Sequence, residues 1–302
     1  MKKTVRLFSI MAVIVAGCTT ACGQNAIKNT ANDSGKVKVM TSFYTMYDFA
    51  QKIGGEKVEI TNMVPSGTEP HDWEPSAIDI RNMEDADVFI YNGAGMEHWA
   101  EDILKSLDNS ELITVEASEG VELIREGKEN DPHVWLDPEN AKIEMEHIKD
   151  AFIEADKDNA EYYNKNYETY SRQLDGLNQE FEETLSQVTN KDIIVAHKAF
   201  GYLCKAYGLN QIAIEGLMPD SEPDPARMEE IIQLAKKKEI NTIFFEELVS
   251  PKVATTIAKE IGAKTEVLNP LEGLSEEQMD AGEDYFSVMR TNLKQIKKAL
   301  EN

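Results

Sequence analysis

The sequence predicts an α/β protein of two lobes, each with a four-stranded, mainly parallel sheet flanked by helices, joined by one long spine helix. Three observations predict this. Short apolar runs alternate with helical patterns along most of the chain, the runs fall into two sets of four, and one uninterrupted helical stripe lies between the sets. Strand–helix alternation is the mark of βαβ units, whose crossovers lay the strands parallel.

The N-terminus comes first. Lys2, Lys3 and Arg6 form a basic start, and residues 7–16 form an apolar run too short to span a bilayer. Val15-Ala16-Gly17-Cys18 follows, small residues directly before a cysteine, which implies export and resembles the bacterial lipobox. Residues 1–17 are therefore read as a lipoprotein signal peptide and Cys18 as the lipidated residue. Cys22 is a second candidate but lacks an aliphatic residue three places before it. Residues 18–36 are read as a flexible tether, of which 24–36 are polar, rich in small residues and without periodicity.

An N-terminal lobe is expected over residues 37–157, with strands at 37–43, 58–64, 88–92 and 112–116. A C-terminal lobe is expected over 191–302, with strands at 193–197, 212–215, 242–246 and 265–268. Most runs are β-branched or aromatic and bounded by Gly, Pro, Asn or Asp. Helical patterns at 47–53, 226–238 and 251–261 separate strands. Tyr163, Tyr167, Tyr170, Leu174, Leu177, Phe181, Leu185 and Val188 recur at intervals of four and three, so residues 158–190 read as the linking helix. Its periodic part, 159–188, would be roughly 45 Å long.

Composition narrows the function classes. The chain has 302 residues, with 31 Lys+Arg against 55 Asp+Glu for a net charge of −24. Such a field argues against nucleic acid and anionic lipid surfaces as partners and favours cations near the surface. With Cys18 used, only Cys22 and Cys204 remain, so no disulfide framework is expected. Cys204 lies in an apolar run and reads as a small core residue.

The chemistry lies in the five histidines. His71 follows the second strand within Glu69-Pro70-His71-Asp72-Trp73-Glu74-Pro75. His133 follows the fourth within Asp131-Pro132-His133-Val134-Trp135, and His197 ends the fifth. Ligands of parallel sheets bind beyond the carboxyl ends of the strands, so two of these imidazoles come from one lobe and one from the other, all on the ligand-facing edge. A fourth donor is expected from the last strand's edge, Asn269-Pro270-Leu271-Glu272. Carboxylate is a usual zinc donor and neutral amide oxygen a poor one, so Glu272 is preferred, with Asn269 or water as alternatives. Three imidazoles with one carboxylate form a closed holding site that suits Zn²⁺ better than Mn²⁺. His98 opens a helix and reads as partly exposed; His147, among Glu144, Glu146 and Lys149, reads as solvated surface.

From about Val37 onward the sequence resembles the zinc-binding solute receptors of ABC importers, the ZnuA/AdcA type. The resemblance rests on Pro70-His71-Asp72-Trp73-Glu74-Pro75-Ser76, Asn92-Gly93-Ala94-Gly95-Met96-Glu97, Asp131-Pro132-His133-Val134-Trp135-Leu136-Asp137-Pro138, Ala196-His197-Lys198-Ala199-Phe200-Gly201-Tyr202 and Glu222-Pro223-Asp224-Pro225. It implies metal binding by His71, His133 and His197; manganese- or iron-binding relatives typically carry Glu at the position of His197, so the His there resembles the zinc branch. Many members have Asp where this chain has Asn269; in the AdcA-like branch a Glu is the fourth ligand, and Glu272 fits that place. The long His-rich insertion that numerous members carry before His133 is absent; only residues 125–130 stand there.

What the resemblance implies is an extracytoplasmic, lipid-anchored, monomeric protein, not an enzyme, that captures Zn²⁺ between its lobes. Its partners would be an ABC permease and that permease's ATPase. The competing readings are an Mn²⁺ receptor of the same class, a secreted zinc hydrolase and an adhesin. The hydrolase would need an open metal position, and the sequence has no His-Glu-x-x-His helix and no Gly-x-Ser-x-Gly elbow.

Overall fold

The computed structural model describes residues 35–219 and 223–301. The signal peptide, Cys18, Cys22 and nearly all of the tether lie outside the described residues. No helix among the described residues is long and apolar enough to cross a membrane.

The first sheet consists of β1 (Val37–Thr41), β2 (Val58–Asn62), β3 (Val88–Tyr91) and β4 (Ile113–Glu116), all parallel, in the order β2-β1-β3-β4. A short antiparallel hairpin, β5 (Arg125–Glu126) and β6 (Glu129–Asn130), follows. The second sheet consists of β7 (Asp192–Val195), β8 (Asn210–Ala213), β9 (Thr242–Phe245) and β10 (Lys264–Val267), also parallel, in the order β10-β9-β7-β8. The eight expected strands are the eight of the two parallel sheets; seven end one or two residues sooner than expected, and three of the second sheet begin one or two residues earlier. They form two sheets because a helical block separates the sets.

Ten helices complete the described chain. In the first half these are α1 (Tyr44–Gly54), α2 (Ala77–Glu84), α3 (Ala100–Ser106) and α4 (Pro138–Ala155). The long helix is α5 (Ala160–Leu185), 26 residues and so about 39 Å. Beyond it lie α6 (Gly201–Tyr207), α7 (Pro225–Lys237), α8 (Lys252–Ile261), α9 (Glu276–Asp280) and α10 (Tyr285–Leu300). Tyr163, Leu174, Leu177, Phe181 and Leu185 of α5 are buried, as their spacing requires. The α5 stripe enters one hydrophobic cluster that takes in Phe49 and Ile53 of α1, Met145 and Phe152 of α4, and Phe286, Met289 and Ile296 of α10. The same apolar core therefore runs beneath both sheets. Cys204 is buried within it.

Further contacts tie the halves together near the carboxyl edges. The Trp135 indole N–H donates to the Pro270 carbonyl (2.7 Å), and the Tyr285 hydroxyl donates to the Trp135 carbonyl (2.7 Å). Lys52 of α1 lies 2.9 Å from Asp284, the residue that caps α10.

Candidate metal centre

In the second sheet the strand order reverses between β7 and β9, and a crevice opens beyond the carboxyl ends at such a point. His197 lies two residues beyond β7, past the strand end expected for it, and Glu246 directly follows β9. The first sheet contributes two loops. His71 lies in the segment between β2 and α2, and α2 is fixed by a capping box of Ser76 and Asp79. His133 immediately precedes a single 3₁₀ turn, Val134–Leu136, which runs into α4. Asp137 caps α4 through the Glu139 N–H, and Pro138 occupies its first turn, so the helix start holds the His133 loop from behind.

Glu272 arrives from the loop after β10. That loop is bent by Leu271, a non-glycine residue at φ +64°. Such a conformation persists only when its surroundings impose it. Here the Asn269 side-chain oxygen accepts from the Leu271 N–H (2.7 Å), and Thr45 Oγ1 donates to the Leu271 carbonyl (2.5 Å). Asn269 also donates through its amide to Glu247 (3.1 Å). Its side chain builds the turn and carries Glu272 inward.

The fold brings His71, His133, His197 and Glu272 together: one donor atom from each lies within 4.8 Å of the others. All four are buried, Glu272 to 1% exposure and His71 to 4%. Glu272 Oε1 lies 2.8 Å from His133 Nε2, 3.3 Å from His71 Nε2 and 3.8 Å from His197 Nδ1, and the His71 and His133 Nε2 atoms are 3.3 Å apart. A tetrahedron with bonds of about 2.0–2.1 Å to a central ion has edges of about 3.3 Å. The spacing fits one small divalent cation, and the donor set is the imidazole-rich kind that suits zinc.

Neighbours orient two of the rings. His133 Nδ1 donates to Asp131 Oδ1 (2.7 Å), which also accepts the His133 backbone N–H (3.0 Å). With Nδ1 engaged by Asp131, Nε2 is the ring nitrogen turned toward Glu272. Gly201 makes room for Asp131, because a Cβ there would sit 2.4 Å from Asp131 Oδ2. His197 Nε2 faces the Leu217 carbonyl at 2.7 Å. A carbonyl only accepts, so Nε2 donates, and Nδ1 is the atom turned toward Glu272.

Charge is concentrated here. Burial by itself would raise the Glu272 carboxyl, but His197 and His71 and hydrogen bonds from His133 and His71 hold it well below the usual carboxylate range. Burial would lower His197, yet Glu246 and Glu272 push it up to about 10. Burial and the Glu272 charge raise Glu69 to about 9, and burial raises Glu246. The metal-free cluster thus holds protons where a cation would balance the carboxylates.

Glu69 and Glu246 are acidic groups that sequence reasoning passed over. Glu246 sits at the carboxyl edge that pointed to His197, so the same rule was available to find it. The other histidines lie elsewhere. His98 is exposed, 3.6 Å from Glu74, and outside the cluster. His147 corrects an expectation: it is half-buried rather than solvated, with Nδ1 2.9 Å from the Ala117 carbonyl, because α4 packs this face against the end of the first sheet. The loop before His133 is the β5–β6 hairpin.

The chain is similar to known zinc-binding and zinc-uptake proteins. The chain is 41% identical over 306 residues to the high-affinity zinc uptake system protein ZnuA of Bacillus subtilis, covering 95% of this chain and 96% of that one. It is 38% identical over 317 residues to the zinc-binding lipoprotein AdcA of Streptococcus pneumoniae, but spans only 62% of that longer protein. Among solved structures, the Zn(II)-bound ZnuA-like domain of S. pneumoniae AdcA superposes with a TM-score of 0.81 at 41% identity, covering 89% of this chain and all of that one. The laminin-binding protein Lmb of Streptococcus agalactiae, described as having adhesin and metal transporting activity, gives 0.82 at 34% identity, covering 88% and 99%. Residues 39–299 match the model of zinc-uptake complex component A, periplasmic, and the chain belongs to that ZnuA family.

Proposed function

We propose that this protein captures Zn²⁺ outside the cytoplasm and delivers it to the permease of an ABC importer, with His71, His133, His197 and Glu272 as the metal ligands. The observation that carries the reading is the convergence of three imidazoles and one carboxylate, two from loops of the first sheet and two from the second. An ion bound this way favours the arrangement in which both halves present their donors. Displacing any one of the segments that carry these donors breaks the set, which is the step a permease would exploit. The zinc-binding and zinc-uptake names of relatives at 38–41% identity support the same reading. A closed set of four protein donors leaves no ligand position for a reacting water, which favours a carrier over a zinc hydrolase.

On this proposal the mature chain is monomeric and tethered through lipidated Cys18, with residues 37–157 and 191–302 as the two metal-binding lobes and 158–190 as their link. The permease and its ATPase are separate chains.

Elemental analysis after exposing the metal-free protein to equal Zn²⁺ and Mn²⁺ tests the proposal. We expect one Zn²⁺ per chain, largely lost in His197→Ala and weakened in Glu272→Ala. Preferential retention of Mn²⁺ would overturn the choice of metal, and zinc binding unaffected by both substitutions would overturn the ligand set. Normal growth of a deletion strain in zinc-limited medium, with loss of surface attachment, would favour the adhesin role instead.

A further inference from the structure

Three carboxylates beside the histidines each leave an oxygen without a partner. Glu69 Oε1 accepts the His71 backbone N–H (3.2 Å), while Glu69 Oε2 is buried with no hydrogen-bond partner. Glu272 Oε1 faces His71 and His133, while Oε2 is buried and unpartnered. Glu246, only 3% exposed, has Oε1 lying 3.0 Å from His197 Nδ1 but outside hydrogen-bond geometry, and neither of its oxygens has a partner. One oxygen from each of the three lies within 4.8 Å of the others. Among the described residues no lysine or arginine forms an ion pair with any of them. Buried carboxylates are normally hydrogen-bonded, paired or bound to a metal. Here the histidine position uses only one oxygen of Glu272, Glu69 Oε1 has the His71 N–H, and the one side-chain neighbour of Glu246 is His197 Nδ1, a nitrogen that the histidine position claims; the other oxygens have no protein donor.

We propose that Glu69, Glu246 and Glu272 form a second cation position, made of oxygens alone, that adjoins the histidine position and shares Glu272 with it as a bridging carboxylate. Its ligand is a hard divalent cation of the Mn²⁺, Ca²⁺ or Mg²⁺ class, because only carboxylate oxygens are offered. A carboxylate with one oxygen turned to each position is the arrangement that holds two ions roughly 3.5–4 Å apart in two-metal sites. The inference rests on the zinc reading only for the occupant of the histidine position.

The test uses the full chain loaded with one Zn²⁺ and titrated with Mn²⁺. Free Mn²⁺ is followed by its six-line electron paramagnetic resonance signal, and zinc by elemental analysis. One Mn²⁺ per chain should bind with zinc retained. Glu246→Gln and Glu69→Gln should each weaken Mn²⁺ binding at least tenfold while zinc, at saturating concentration, stays at one per chain; retained zinc reports that the variants fold. Failure of the zinc-loaded chain to bind Mn²⁺, uptake of Mn²⁺ only in exchange for zinc, or equal Mn²⁺ binding by both variants would overturn the proposal. If the chain holds no zinc at all, the functional reading falls. The same titration of the metal-free protein then still decides the carboxylate position, through its dependence on Glu69 and Glu246.

Discussion

Asp131 touches no cation in the proposed ligand set, yet its removal should be felt there. Its Oδ1 accepts both the Nδ1–H and the backbone N–H of His133, at 2.7 and 3.0 Å. The first bond places the proton on Nδ1 and so leaves Nε2 free, and the second holds the loop that carries the ring. In Asp131→Ala the ring is no longer held to that tautomer, and the His133 N–H loses its acceptor in a buried site. Loss of a carboxylate behind a metal-binding imidazole typically lowers metal affinity about 10- to 100-fold, which corresponds to about 1.4–2.8 kcal/mol. Asp131→Asn retains an acceptor oxygen without the charge and should fall between wild type and Asp131→Ala. Competition for Zn²⁺ against a chromophoric chelator measures the affinities, and circular dichroism of the metal-free proteins checks that each is folded. An affinity for folded Asp131→Ala within twofold of wild type would refute the reasoning, since it would mean that His133 keeps its orientation without Asp131.

Gly201→Ala should act through the same residue: its Cβ would stand 2.4 Å from Asp131 Oδ2, so zinc affinity should drop severalfold in the same competition assay. Trp135→Phe removes the donor to the Pro270 carbonyl and should lower the stability of the metal-free chain by about 1–3 kcal/mol in urea unfolding. Zinc binding should strengthen as pH rises from 6 to 8, with proton release visible in a weakly buffered titration, because metal ligands must be deprotonated. The sign follows from His197. Its raised value stabilises the metal-free fold below about pH 6.5, a contribution lost as pH climbs toward 10. The zinc-induced rise in melting temperature should therefore grow with pH, and a constant rise between pH 6 and 8 would count against this account.

Much of the architecture was legible because the inner strands β1, β3, β7 and β9 are mostly buried and are written as short, largely apolar runs. The stripe from Tyr163 to Leu185 separated the two sets. The gathering of His71, His133, His197 and Glu272 was legible through one topological rule, that chemistry collects at the carboxyl ends of parallel strands. What escaped was decided by three-dimensional pairing. Nothing in the spacing of Asp131 and Gly201, seventy residues apart, says that one makes room for the other. Asn269 looked like a possible donor because amide oxygens are polar, but its partner is the N–H two residues on. His147 was misjudged from its charged sequence neighbours, since the surface that covers it belongs to Ala117. The orphaned oxygens of Glu69 and Glu246 are visible only once burial is known.

With one apolar mass running under both sheets along α5, this molecule is built unlike a clam. Swinging the halves apart would expose Leu174, Leu177 and Phe181 to water, at about 1.5–3 kcal/mol for each large side chain stripped of its neighbours. Release would cost less if only the short segments bearing His71 and Glu272 moved while the beam beneath them stayed still. The bent backbone at Leu271 is held by Thr45 across the gap, by the Asn269 side chain and, one residue earlier, by Trp135, so these contacts would have to yield together before Glu272 could be carried out of reach.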